Sequence, residues 1–250
     1  MTVTISEIIW AIDALLAFIC GVRIYQAYRN TQDKAVGDYA KFFTLFGFGF
    51  VGAVIADPIM PGEFNTKLTI VISLFVMFSG MAYLARMATA LAYPKFEKQA
   101  FWTVMIGNIL TVIANLKYYL FAPTRAPFLD PNTGMFVINF PVIVTILVVL
   151  IVVFAMFVPG IVFIRKALNI QDKAVRARGM LLGSGLILFA VGFMACGAAK
   201  TVMPMQISHL FIASSYLPFL VVTFYVIRKK VPEAIPTVQA VTAVAPKIRW

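Results

Sequence analysis

Asn30-Thr31-Gln32-Asp33-Lys34-Ala35-Val36 recurs, with a single change, as Asn169-Ile170-Gln171-Asp172-Lys173-Ala174-Val175. Each copy follows one long apolar run and precedes another. At the same offset of 139 residues Phe18 falls on Phe157, Gly21 on Gly160 and Phe50 on Phe189. A repeat in equivalent connections indicates an internal duplication, and repeats of this length bear on the whole fold.

Around the two copies the chain is too apolar for a water-soluble domain. Its residues are 62% hydrophobic and 12% charged, and the mean hydropathy is +0.93. So little polar surface cannot coat a soluble core, so the composition predicts an integral membrane protein. A spanning helix needs about 20 mostly apolar residues. Seven are predicted: Ile5–Tyr28, Tyr39–Pro58, Leu68–Leu91, Ala100–Leu120, Phe136–Leu168, Gly179–Lys200 and Gln206–Arg228. The fifth is too long for an upright span and is expected to tilt, to kink near Pro159-Gly160, or to project from the bilayer. Pro58-Ile59-Met60-Pro61-Gly62 and the stretch from Ala122 to Gly134 carry turn residues and are expected as loops on one side. Ser6, Glu7 and Asp13 interrupt the first run, which is expected to be a retained helix and not a cleaved signal.

Charge sets the expected orientation. Of the 21 Lys and Arg residues, all but Lys67, Lys117, Arg125 and Lys200 fall on the side where the first helix ends. That imbalance predicts the N-terminus outside and the C-terminus in the cytoplasm. The net charge of +11 is accounted for by this placement, and no nucleic-acid partner is expected. The arrangement is then an all-α membrane protein of three-plus-one-plus-three plan. Residues 1–91 form the first three-helix repeat, 92–135 a linker helix and outer loop, 136–230 the second repeat, and 231–250 a cytoplasmic tail rich in Pro, Ala and Val.

This plan resembles the sugar-permeating SWEET class, and the helix count resembles the microbial rhodopsins, in architecture alone. The Pro-Gln signature of the PQ-loop proteins is missing. The last helix has no lysine before its cytoplasmic end to carry a retinal Schiff base, and Lys200 at the end of helix 6 is a poor substitute. No family is assigned on these grounds.

Ionisable and amide side chains within apolar runs are the candidate functional residues, because a bilayer makes them costly. Asp13 is the most deeply placed carboxylate, about two turns into the first helix. Asn108, Thr111, Asn115 and Tyr118 share one face of the fourth helix, and a polar stripe of that kind is expected to face the bundle. Ser208, Ser215 and Tyr216 offer comparable groups on the seventh helix, beside a kink expected at Pro218. Asp13, Asn108, Thr111, Asn115, Tyr118, Ser215 and Tyr216 form the candidate ligand pocket. Asp57, Lys117, Lys200 and His209 sit near outer helix ends and form a candidate vestibule. Interhelical packing and snorkelling to water are the competing roles for these groups.

No cofactor or metal is expected. Cys196, Met203, Met205 and the single histidine, His209, are soft ligands within a short stretch, but their spacing matches no metal motif and Met packs adaptably in apolar cores. Paired-histidine haem ligation and four-cysteine iron–sulfur clusters are excluded by residue count. Hydrolase, zincin and phosphate-loop motifs are missing too, so the protein is not expected to be an enzyme. Gly47, Gly49, Gly52, Gly183 and Gly185 are expected to bring helices close together.

Expected partners are membrane lipids, with anionic headgroups against the basic connection from Arg165 to Arg178, and a protein partner along residues 231–250. Trp250 suits an interface or a protein pocket. The leading functional expectation is a small-solute transporter or permease. The alternatives are a non-catalytic accessory subunit docking through its tail, and a seven-helix sensor, for which the short tail leaves no output domain.

Overall fold

The computed structural model describes residues 5–55, 63–121, 128–129, 136–137, 140–198 and 202–228. Among them are seven helices long and apolar enough to cross a membrane, so the fold is all-α and polytopic. The helices are α1 (Ile5–Thr31), α2 (Lys34–Ile55), α3 (Glu63–Ala92), α4 (Glu97–Phe121), α5 (Val142–Leu168), α6 (Lys173–Ala198) and α7 (Val202–Arg228). Each packs against its successor, α7 returns to α1, and α3 also touches α5, so the helices close into a ring. The Pro58–Gly62 turn, most of the loop after α4 and residues 231–250 lie outside the described residues.

The two copies of the repeated segment are helix starts. Asp33 Oδ1 accepts the backbone N–H of Ala35 at 2.8 Å, and Asp172 Oδ1 accepts those of Ala174 and Val175 at 2.7 and 3.0 Å. Each aspartate satisfies donors that the first turn of a helix leaves open. For this reason α2 and α6 begin at Lys34 and Lys173, earlier than the expected Tyr39 and Gly179. The Val175 and Ala174 N–H groups hold the Asp172 carboxyl below its ordinary range. This cap is therefore fully present at neutral pH and is lost as pH falls through that lowered value. Gln32, the residue before the first cap, turns the chain with a φ of 54°.

The fifth helix departs from expectation at its start. It starts at Val142, directly after Pro141, and not at Phe136. Phe136–Val137 instead pairs antiparallel with Phe128–Leu129 in a two-residue ribbon. Within α5, Val153–Phe157 forms a π-helical segment immediately before Pro159. Proline has no N–H for the carbonyl of Ala155 four residues back, and its ring would collide there. The widened turn accommodates the ring at that point. Pro218 lies inside α7.

Lipid tails are as apolar as the helices, so association depends on close packing. Two mechanisms supply it. Glycines bring backbones together: a Cβ on Gly183 would stand 2.6 Å from the Gly160 carbonyl oxygen, and one on Gly21 would stand 3.0 Å from Thr44 Oγ1. These two approaches, α5 to α6 and α1 to α2, are related by the same 139-residue offset. Aromatic rings fill the centre. Phe42, Phe46, Phe189 and Phe219 are buried, with Phe42 and Phe46 at 4.9 Å, Phe46 and Phe189 at 5.1 Å, and Phe43 and Phe219 at 5.2 Å between centroids.

An ion pair missed in the sequence locks α2 to α3. Arg86 Nε donates to Asp38 Oδ2 at 2.7 Å and Nη2 donates to Oδ1, while the guanidinium lies 5.0 Å from the Tyr83 ring and 5.3 Å from that of Phe101 on α4. Asp38 is nearly fully buried, at 3% side-chain exposure. The signal was available: Asp38 opens the second apolar run, and Arg86 is the only charge within the third. Removing one partner strands a buried charge, at a cost of about 3 kcal/mol or more, whereas replacing both by apolar residues is close to neutral. Arg86→Ala is accordingly expected to lower the thermal unfolding midpoint in detergent clearly, and Asp38→Leu with Arg86→Met to recover most of it.

Candidate functional site

The seven candidate pocket residues divide into two groups at separate helix contacts. The first is on α4. Asn108, Thr111 and Asn115 are buried on one face, as a polar stripe should be. Tyr118 is half-buried and Tyr119 takes the inward position, because a residue eleven places after Asn108 returns almost to its angle on a helix. The stripe faces α3. Asn108 Nδ2 donates to the Phe75 carbonyl at 2.9 Å and to Ser79 Oγ at 3.2 Å, and Ser79 Oγ donates to the same carbonyl at 2.7 Å. Thr111 Oγ1 bonds back to Gly107 O at 2.9 Å. Asn108 thus ties two helices, while both side-chain polar atoms of Asn115 and the Tyr119 hydroxyl have no hydrogen-bond partner.

The second group lies where α1 meets α7 and α2. Asp13 is at 0% exposure and neither carboxyl oxygen has a hydrogen-bond partner. The Tyr216 hydroxyl, also buried without a partner, is within electrostatic range of Asp13 and of Cys20. Cys20 in turn is hydrogen-bonded with Thr223 and lies near Tyr39, whose buried hydroxyl is unbonded. Ser215 Oγ is turned to its own helix, donating to Ile212 O at 2.5 Å. Cys20, Tyr39 and Thr223 escaped sequence analysis because single polar residues in apolar helices look like packing; only their convergence marks them.

A cavity of about 50 Å³ lies in the half of the bundle where α1 begins. Trp10 of α1, Ser73 of α3, Cys196 of α6 and His209 of α7 line it among apolar side chains. Trp10 precedes Asp13 by three residues and His209 precedes Tyr216 by seven, so the cavity sits one to two turns nearer the helix starts than the Asp13 and Tyr216 pair. Phe50 and Phe193 line its inner part, where the aromatic core begins.

Of the candidate vestibule groups, His209 is buried beside Trp10, with ring centroids 6.4 Å apart, and Lys117 is exposed. Asp57 and Lys200 lie outside the described residues. On the opposite side, two residues of the basic connection turn to protein carbonyls: Lys166 Nζ donates to Leu91 O, and Arg176 Nε to Ile170 O at 2.8 Å. Lys34 pairs with Glu97 at 2.6 Å. Cys20 and Cys196 are free thiols. No protein-family model matches the chain, and no curated protein matches it in sequence.

The unequal bonding on α4 separates a tether from a spare polar group. Asn108→Ala is expected to destabilise the protein by about 1 kcal/mol, in the range measured for hydrogen bonds between membrane helices. Asn115→Leu is expected to leave stability unchanged or to raise it, because an unbonded buried amide costs about 1–3 kcal/mol. Thermal unfolding of the two variants in the same detergent checks both expectations.

Proposed function

We propose that this polytopic membrane protein is a small-solute transporter or permease whose coupling centre is Asp13 with Tyr216. The observation that carries the reading is the Asp13 carboxyl, wholly buried with both oxygens unbonded, within electrostatic range of an equally unbonded hydroxyl. An ionised carboxylate in such surroundings costs several kcal/mol unless a partner is supplied. The position calls for a proton or a cation, which fits a carrier that takes up and releases one. Intramembrane carboxylates in pumps and transporters serve this way.

The architecture supports the same reading. Residues 1–91 and 136–230 are duplicated halves joined by α4, a view favoured by the matched Asp33 and Asp172 caps and by the matched Gly21 and Gly160 approaches. The Lys and Arg imbalance favours an outer start for α1; with that orientation the cavity above Asp13 belongs to the outer half and the aromatic core closes its inner end. Alternating access then requires the halves to rock against each other across those rings.

The interlocked rings favour a second reading, a seven-helix sensor, since a bundle with so continuous a core can bind without rocking. Flux separates the two. Proteoliposomes screened with neutral and cationic solutes, with and without a proton gradient, are expected to accumulate at least one class above empty vesicles. Asp13→Asn is expected to return the gradient-driven part of that flux to the empty-vesicle level. Silence across the screen, with solute-dependent quenching of Trp10 fluorescence, would overturn transport in favour of sensing.

A further inference from the structure

We propose that Cys196, Met205 and His209 form a binding site for one soft monovalent metal ion, Cu(I). The site is independent of the transport reading, and it uses residues whose sequence spacing had pointed only to packing.

The fold brings together what the sequence separates. Cys196 stands in the last turn of α6, and Met205 lies on the first turns of α7. Cys196 Sγ and Met205 Sδ are 3.5 Å apart. His209 follows Met205 by four residues, which sets both on one face of α7. His209 and Cys196 both line the cavity of about 50 Å³, a volume large enough to hold one ion. Met203, the remaining soft residue of the stretch, has a side chain outside those described.

His209 is the second, independent observation. It is 5% exposed, and both ring nitrogens lack a hydrogen-bond partner. A neutral imidazole always has one donor and one acceptor nitrogen, and burying both unbonded is unfavourable. A metal ion occupies the acceptor lone pair. Packing alone explains Met205, which touches Cys196 and, at 3.7 Å, Ser208 Oγ, but leaves the imidazole unexplained.

The donor set selects the ion. Thiolate and thioether are soft, and imidazole is borderline; together they suit Cu(I) and provide none of the oxygens that hard cations require. Among the described residues no group of three or more His, Cys, Asp and Glu gathers, which argues against a zinc site. Charge balance points the same way. Binding replaces the thiol proton by the metal: the S–H bond breaks, an S–Cu bond forms, one proton leaves to solvent, and copper stays in the +1 state. The occupied site then has the same net charge as the empty one, so no uncompensated charge is buried. A divalent ion would leave an extra positive charge among Trp10, Phe193 and Ile212.

The test uses the full chain in detergent under anaerobic conditions, with Cu(I) presented as its bicinchoninate complex. One ion per chain is expected to transfer from the chelator, with one proton released. Cys196→Ser is expected to abolish transfer, and Met205→Leu and His209→Leu each to weaken it by about tenfold or more, at least the loss that follows removal of a ligand's outer-shell partner. Cys20→Ser, which alters the other buried thiol, is expected to leave it unchanged. X-ray absorption at the copper edge of the unmodified protein supplies a readout that does not depend on a variant folding, and a mixed sulfur and nitrogen shell is expected. Failure to take Cu(I) from the chelator, binding as tight in His209→Leu as in the unmodified protein, a shell without sulfur, or a preference for Zn(II) would each overturn the proposal.

Discussion

Close approach of helix backbones is the constraint on which this bundle depends. In water the burial of Phe and Leu would hold seven apolar helices together, but lipid offers those side chains an equally apolar setting. What remains is contact quality. Gly160 and Gly183 let α5 and α6 meet backbone to backbone, and Gly49 lets α2 approach α3, where a Cβ would fall 2.2 Å from Met77 Cγ. Once the backbones are close, the Phe42, Phe46, Phe189 and Phe219 rings can interlock across the ring of helices, adding about 0.5–1.5 kcal/mol per well-placed aromatic pair.

The same constraint decides where polar groups settle. Asp38 and Arg86 are bidentate to each other and shielded by Tyr83 and Phe101, so a costly pair becomes a fixed joint between α2 and α3. Asn108 bridges α4 to α3 in the same spirit. Asp13, Asn115, Tyr216 and His209 are as deeply buried and have no such bonds. Joints and unbonded groups are thus distinct populations within one bundle. Of the unbonded groups on α1 and α7, His209 lines the cavity, and Asp13 and Tyr216 lie one to two turns further along their helices.

How much of this was legible follows from the kind of signal each feature leaves. Seven helices could be read because twenty-residue apolar runs have no other stable form in a bilayer. Their starts were misplaced at Tyr39, Gly179 and Phe136, since hydropathy finds the apolar middle while a helix begins where a cap such as Asp33 satisfies its first N–H groups. The α4 stripe was visible as a spacing, though Tyr119 and not Tyr118 completes it. Its destination was not visible: spacing tells which residues share a face and not which helix that face meets. The grouping of Asp13 with Tyr216, and of Cys196 with Met205, joins residues of different helices, and no local pattern records such a meeting.

Asp13 is the residue on which the functional reading turns, and its protonation can be observed directly. Infrared difference spectroscopy of the protein in lipid, with and without an imposed change of pH on the side where α1 begins, isolates buried carboxyl bands, and subtraction of Asp13→Asn assigns them. A carboxyl band that belongs to Asp13 and changes with proton or solute binding is the predicted result. A silent Asp13, with the same difference spectrum in the unmodified protein and in Asp13→Asn, would contradict the account.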